Sequence, residues 1–166
     1  VGDIAWVDVS EVQASPNSPL VREFYTLAVD DIKLQRGNGD VFSVSLALPS
    51  NTVQSTIVDS GAPYLLLARQ TWNLVVATFQ QEFCSSLRTR ESDAIYFECT
   101  PNGDPMDVPQ ITLHVDGQRV PIFQYIQLST RGSTPIWIAH VFTTRTSVQN
   151  VLGAPFMLSY YTVFDQ

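Results

Sequence analysis

The sequence predicts an all-β domain carrying one or two short helices. Three observations lead there. Charged residues make up 15% of the chain, against about 25% in an average domain. Serine, threonine, valine, tyrosine and phenylalanine are abundant, and these residues suit a pleated, half-buried surface. Ten prolines punctuate the chain as frequent turns would. The 166 residues suffice for one domain with a sizeable core, and no linker, repeat or low-complexity tract divides them.

The elements follow in order. Ile4 to Val9 reads as an opening strand, and no charged-then-apolar leader precedes it, so a secreted protein would be in its mature form. Glu23 to Asp30 and Val41 to Leu48 are β-rich and partly alternating. Between them Arg36-Gly-Asn-Gly-Asp40 is a strong hairpin turn. Thr52 to Val58 is a strand that runs into Asp59-Ser60-Gly61. Ile111 to Val115 and Arg119 to Phe123 flank Asp116-Gly117, a second hairpin signal. Pro135 to Phe142, Val148 to Leu152 and Tyr160 to Phe164 complete the strands.

One helix stands out between Ala68 and Phe83. Trp72, Val75, Val76, Phe79 and Phe83 fall at i, i+3, i+4, i+7 and i+11, which is one face of an amphipathic helix laid against a sheet.

Composition also excludes some function classes. The net charge is −7, and only Lys33 among the nine cations is a lysine, the arginines being scattered. A surface for nucleic acid or anionic membrane needs clustered cations. No run approaches 18 apolar residues, so no membrane span is encoded. An acidic, lysine-poor chain keeps its charge balance manageable at low pH, which fits an acidic compartment.

Cys84 and Cys99 lie 15 residues apart. As a disulfide they would close a loop worth about 3 kcal/mol; as free thiols they would pack as small apolar residues. Neither has the paired Cys or His spacing of a zinc site, which favours the disulfide and with it an oxidising compartment. No metal or other cofactor is expected.

The segment with the most chemical content is Ser55-Thr-Ile-Val-Asp59-Ser60-Gly61-Ala62. An apolar strand delivers a carboxylate to a tight turn. Glycine permits sharp turning and close approach to a ligand, and a neighbouring hydroxyl can brace the turn. Most such tripeptides are plain turns, so context decides. About 90 residues later come Val151-Leu152-Gly153, then Phe156 and Tyr160-Tyr-Thr-Val-Phe-Asp165.

An Asp-Ser/Thr-Gly followed later by two apolar residues and glycine resembles the pairing that defines each lobe of the pepsin-like aspartic proteases. The ending from Asn150 to Asp165 resembles the stretch near the end of the C-terminal lobe. Ile4 to Val9, Phe24 to Ile32, Tyr96 to Cys99 and Val108 to Gly117 match further segments in order. The resemblance covers about residues 4–165 and implies that residues 1–166 form a single pepsin-like C-terminal lobe.

It also implies a mechanism. Two aspartates of such enzymes share one proton, because adjacent carboxylates resist double ionisation. One activates water as general base while the other polarises the scissile carbonyl. By this match Asp59 supplies one carboxylate, Gly61 and Ala62 contact the substrate backbone, and Ile57 lines a pocket. Ser60 and Gly153 support the loop. The glycine strand is expected to thread behind the aspartate turn.

Departures qualify the match. The chain holds one Asp-Ser/Thr-Gly and hence half a dyad, and it stops one strand short of the family's pattern. Ser60 and Ala62 are family variants, whereas Pro63 and Tyr64 are unusual. Three readings follow: an aspartic endopeptidase half paired with an N-terminal lobe, a homodimer in which two copies of Asp59 meet, or a non-catalytic lobe that binds a protein or other ligand. A peptide or protein is the expected substrate, and a secreted or acidic endolysosomal or vacuolar setting is the expected location.

His114 and His140 admit a Ser-His-Asp triad in principle. No nucleophile elbow accompanies them, and one surface and one packed histidine is the plainer reading. Tyr160, Tyr161 and Phe164 read as core packing rather than a carbohydrate or lipid site.

Overall fold

The computed structural model of the chain describes residues 25–44, 54–91, 94–115, 117–145 and 150–159. The predicted strands at Ile4 to Val9 and Tyr160 to Phe164 lie outside these residues, as does Asp116.

The first strand, β1 (Tyr25–Gln35), runs through the hairpin turn into β2 (Val41–Val44). It is longer than its apolar pattern suggested, because pairing with three neighbours carries it past Asp30. Gly39 has φ 98° in the turn, where only glycine is comfortable. Next come β3 (Gln54–Val58) and β4 (Leu65–Leu66), then α1 (Arg69–Thr78). A π-helical turn, Phe79–Phe83, continues α1 without a break, so the predicted helical span is helical from Arg69 to Phe83, with Ala68 as its extended N-cap.

The strands β5 (Cys84–Glu91), β6 (Ile95–Pro101), β7 (Gln110–Val115) and β8 (Gln118–Ile122) follow. The chain continues through β9 (Ile126–Arg131), β10 (Thr134–Ala139), β11 (Val141–Phe142) and β12 (Asn150–Leu152) to α2 (Ala154–Ser159). The predicted strand from Pro135 to Phe142 is thus broken at His140, whose N–H donates to Tyr125 O at 2.7 Å.

Among the described residues two sheets form. The larger has the order β11-β4-β12-β3-β1-β7-β8, with β2 also on β1; the smaller has the order β5-β6-β10-β9. A bridge from Ile95 to Thr143 ties them together. Most pairings are antiparallel. The exceptions, β12 on β3 and β11 on β4, are parallel and are built from segments far apart in the chain.

The apolar face of the helical segment anchors the core. Trp72, Val75, Phe79 and Phe83 are all buried, as is Phe97 on β6. Phe79 lies 5.0 Å from Phe97 and 5.3 Å from Phe83 between ring centroids. Tyr125 is fully buried, and burial pushes its phenol well above the ordinary value; its hydroxyl donates to Pro109 O. Cys84 and Cys99 form a disulfide that joins the start of β5 to β6. Arg36 caps the far end of the helical segment: it donates to Glu82 O and stacks over Phe42 and Phe83.

Candidate active site

Asp59 stands at the end of β3, exposed, with its backbone fastened from behind. Its N–H donates to Leu152 O at 3.1 Å, which extends the parallel pairing of β3 and β12 by one bond. Its carboxylate Oδ1 accepts the Gly61 N–H at 2.8 Å, and its carbonyl accepts the Ala62 N–H at 3.2 Å. Both bonds curl the chain back beneath the carboxylate, which is why a short turn follows an apolar strand here.

The glycines have different reasons for being there. Gly61 has no positive φ; a Cβ on it would stand 3.2 Å from Asp59 Oδ1, crowding the carboxylate. Gly153 tolerates no side chain: a Cβ would fall 2.3 Å from the carbonyl oxygens of Ala62 and Tyr64. The expected glycine strand does run behind the aspartate turn. β12 lies between β3 and β4, with Val151 opposite Ile57 and Leu66, and Ala154 N–H donates to Ala62 O at 2.7 Å.

The other predicted residues sit close by. Ser60 is exposed and its hydroxyl makes no hydrogen bond among the described residues, so backbone N–H groups brace the turn instead. Ile57 is half-buried and alternates away from the core between the buried Thr56 and Val58. Ala62 is half-buried behind the turn.

Two contributors carried no clear signal in the sequence. Asn150 is buried at the start of β12, where its Oδ1 accepts the Ala68 N–H at 2.8 Å and its Nδ2 lies 3.5 Å from Thr56 Oγ1. It therefore joins β12, the start of α1 and the strand that carries Asp59. Tyr64 stacks on Phe142 with centroids 4.2 Å apart, and Phe142 in turn faces Tyr96 at 5.4 Å. Only the identity of an asparagine before an apolar pair hinted at the first.

The histidines form no triad with this aspartate. His114 is paired in register with Asp31 and Arg119, and His140 Nε2 lies 3.3 Å from Gln127 Oε1. Both are half-buried, rather than one surface and one packed. Among the described residues no group of three or more His, Cys, Asp or Glu could hold a metal, and no helix is long and apolar enough to cross a membrane.

A carboxylate presented on a backbone-braced turn, with a glycine strand locked behind it, is the defining arrangement of one lobe of a pepsin-like protein. The eukaryotic aspartyl protease family model matches residues 1–166, and the chain belongs to that family. Among solved structures it is similar to basic 7S globulin from soybean, with a TM-score of 0.54 at 17% identity. That match covers 81% of this chain and 36% of the globulin, so the chain spans about a third of that protein. No curated protein sequence matches the chain.

Proposed function

We propose that the chain is one half of an aspartic endopeptidase, in which Asp59 supplies one carboxylate of a two-aspartate dyad. The observation that carries this reading is the fixed and exposed carboxylate: Gly61 N–H holds Oδ1 at 2.8 Å while Leu152 O holds the backbone. The other carboxylate oxygen is left for water or for a second aspartate. A partner carboxylate brought beside it would share a proton with Asp59, since two adjacent negative charges are costly. The ionised member then takes a proton from water as the water attacks the peptide carbonyl, and the protonated member donates to that carbonyl oxygen. Neither metal nor covalent intermediate enters.

The partner is a second lobe with its own Asp-Ser/Thr-Gly, because this chain has one such motif; an N-terminal lobe fits better than a second copy of this chain. Gly61, Ala62 and Ile57 flank the carboxylate and are assigned to the substrate. The disulfide and the family together favour a secreted or acidic endolysosomal setting.

The test is peptide cleavage by the lobe assembled with its partner. Activity blocked by a statine-type inhibitor and lost in Asp59→Ala supports the reading, and activity retained in that variant overturns it. The stacking of Tyr64 on Phe142 beside the turn favours a second reading, a lobe that binds a protein or other ligand without cleaving it. Binding that survives Asp59→Ala, with no cleavage by the assembled parent, selects that alternative.

A further inference from the structure

The outer face of the smaller sheet carries a cluster of charged and hydroxyl side chains that includes none of the residues assigned to the aspartate turn. Along β6 Ile95, Phe97 and Cys99 point to the core, so Tyr96, Glu98 and Thr100 point away from it. In register with them on β5 stand Arg90, Arg88 and Ser86. A cleft of about 130 Å³ opens on this face, lined by Arg88, Arg131, Glu98, Thr100, Thr134 and the buried Ile136. Pockets for drug-sized molecules run from about 300 Å³ upward, so this cleft suits one small group.

Its charge and donors define that group. Arg90 pairs with Glu98 Oε2 at 3.1 Å and Arg131 pairs with the same oxygen. Arg88 lies directly across from Glu98, yet makes no polar side-chain contact among the described residues. The charged groups that line the cleft are Arg88, Arg131 and Glu98, which leaves it singly positive in a chain whose net charge is −7. The hydroxyls add donors. Ser86 Oγ donates to Thr100 Oγ1 at 3.1 Å, which frees the Thr100 O–H to point outward, and the Thr134 hydroxyl, unlike its ladder-paired backbone, has no hydrogen-bond partner among the described residues.

We propose that this cleft binds a tetrahedral oxyanion, sulfate or phosphate, as the free ion or as an ester. Such a group has enough acceptor oxygens for two guanidiniums and two hydroxyls, and its negative charge matches the positive lining.

Thermal unfolding and amide NMR of the 166-residue chain test this, with phosphate or sulfate titrated against sodium chloride of equal ionic strength. The expected result is a saturable rise in midpoint with saturable shifts of the Thr100 and Thr134 amides. Arg88→Gln should weaken binding at least tenfold while its anion-free midpoint stays at the parent value, and Arg88→Lys should recover part of the loss. O-phosphoserine serves as a second ligand; binding by either supports the proposal, and the tighter one names the source. A midpoint that rises without saturating, equally in parent and Arg88→Gln, reports salt exclusion from the surface and overturns it.

Discussion

Gly153 is pressed against Ala62: a Cβ on the glycine would lie 2.3 Å from the Ala62 carbonyl oxygen, the same oxygen that accepts the Ala154 N–H at 2.7 Å. Both partners in the clash are backbone, so no rotamer change relieves it. The backbone of β12 or of the aspartate turn must move. Overpacking a tight site commonly costs about 1–3 kcal/mol, and Gly153→Ala should reach the upper end, about 3 kcal/mol. Urea unfolding measures it; a loss under about 0.5 kcal/mol would mean that the turn yields easily.

Asp59→Asn separates charge from shape. The amide oxygen can still accept the Gly61 N–H, so the turn should persist, and an exposed site of this kind should change stability by no more than about 0.5 kcal/mol. Peptide cleavage by the assembled enzyme should fall by about 10³-fold or more, the scale of general acid–base catalysis. Equal midpoints with unequal rates are the expected pair of measurements.

Asn150→Ala removes a buried acceptor from the Ala68 N–H and leaves that N–H without its side-chain partner. An abandoned buried donor costs about 1–3 kcal/mol. Asn150→Asp keeps the acceptor oxygen but puts a carboxyl where Thr56 is fully buried. Both variants should lower the urea midpoint, and hydrogen exchange at Ala68 should rise in the alanine variant.

Reduction of the Cys84–Cys99 bridge, or Cys84→Ser with Cys99→Ser, opens a loop of separation 15. The expected loss is about 3 kcal/mol, chiefly through a freer unfolded chain. A midpoint unchanged by reductant would show that packing of Cys84 and Cys99 alone holds this corner.

Glu98 gives a pH-dependent contribution. Partial burial pulls its carboxyl upward, but hydrogen bonds from Arg90 and Arg131 outweigh burial and hold it below the ordinary carboxylate value. A lowered carboxyl stabilises the fold fully above its unfolded pKa, and that contribution fades as pH falls through the folded value. Glu98→Gln should therefore be less stable than the parent at neutral pH, by about 1 kcal/mol at most because the arginines are half-exposed. The two proteins should converge in strong acid. A constant gap from neutral to strongly acidic pH would exclude this ion pair as its source.

The parts of the fold legible in the sequence are those with local causes. The spacing of Trp72, Val75, Phe79 and Phe83 marks a helix face because helix periodicity is a property of neighbouring residues. Arg36 to Asp40 and the turn at Gly117 announce themselves because positive φ selects glycine. Asp59-Ser60-Gly61 and Val151-Leu152-Gly153 were readable as a resembling pair of motifs. By contrast β5 is exposed along most of its length, and β4 and β11 have two residues each, so no alternation marks them. They are strands only because distant partners supply their hydrogen bonds. The same holds for the site. The chain's own order carries the carboxylate, the turn and the glycine, since each is a matter of residue type. Only the tertiary structure decided that Gly153 sits against Ala62, that Asn150 joins β12 to the start of α1, that Tyr64 meets Phe142 and that two arginines share Glu98. Each of those contacts joins residues far apart along the chain, where no local pattern specifies which surfaces will meet.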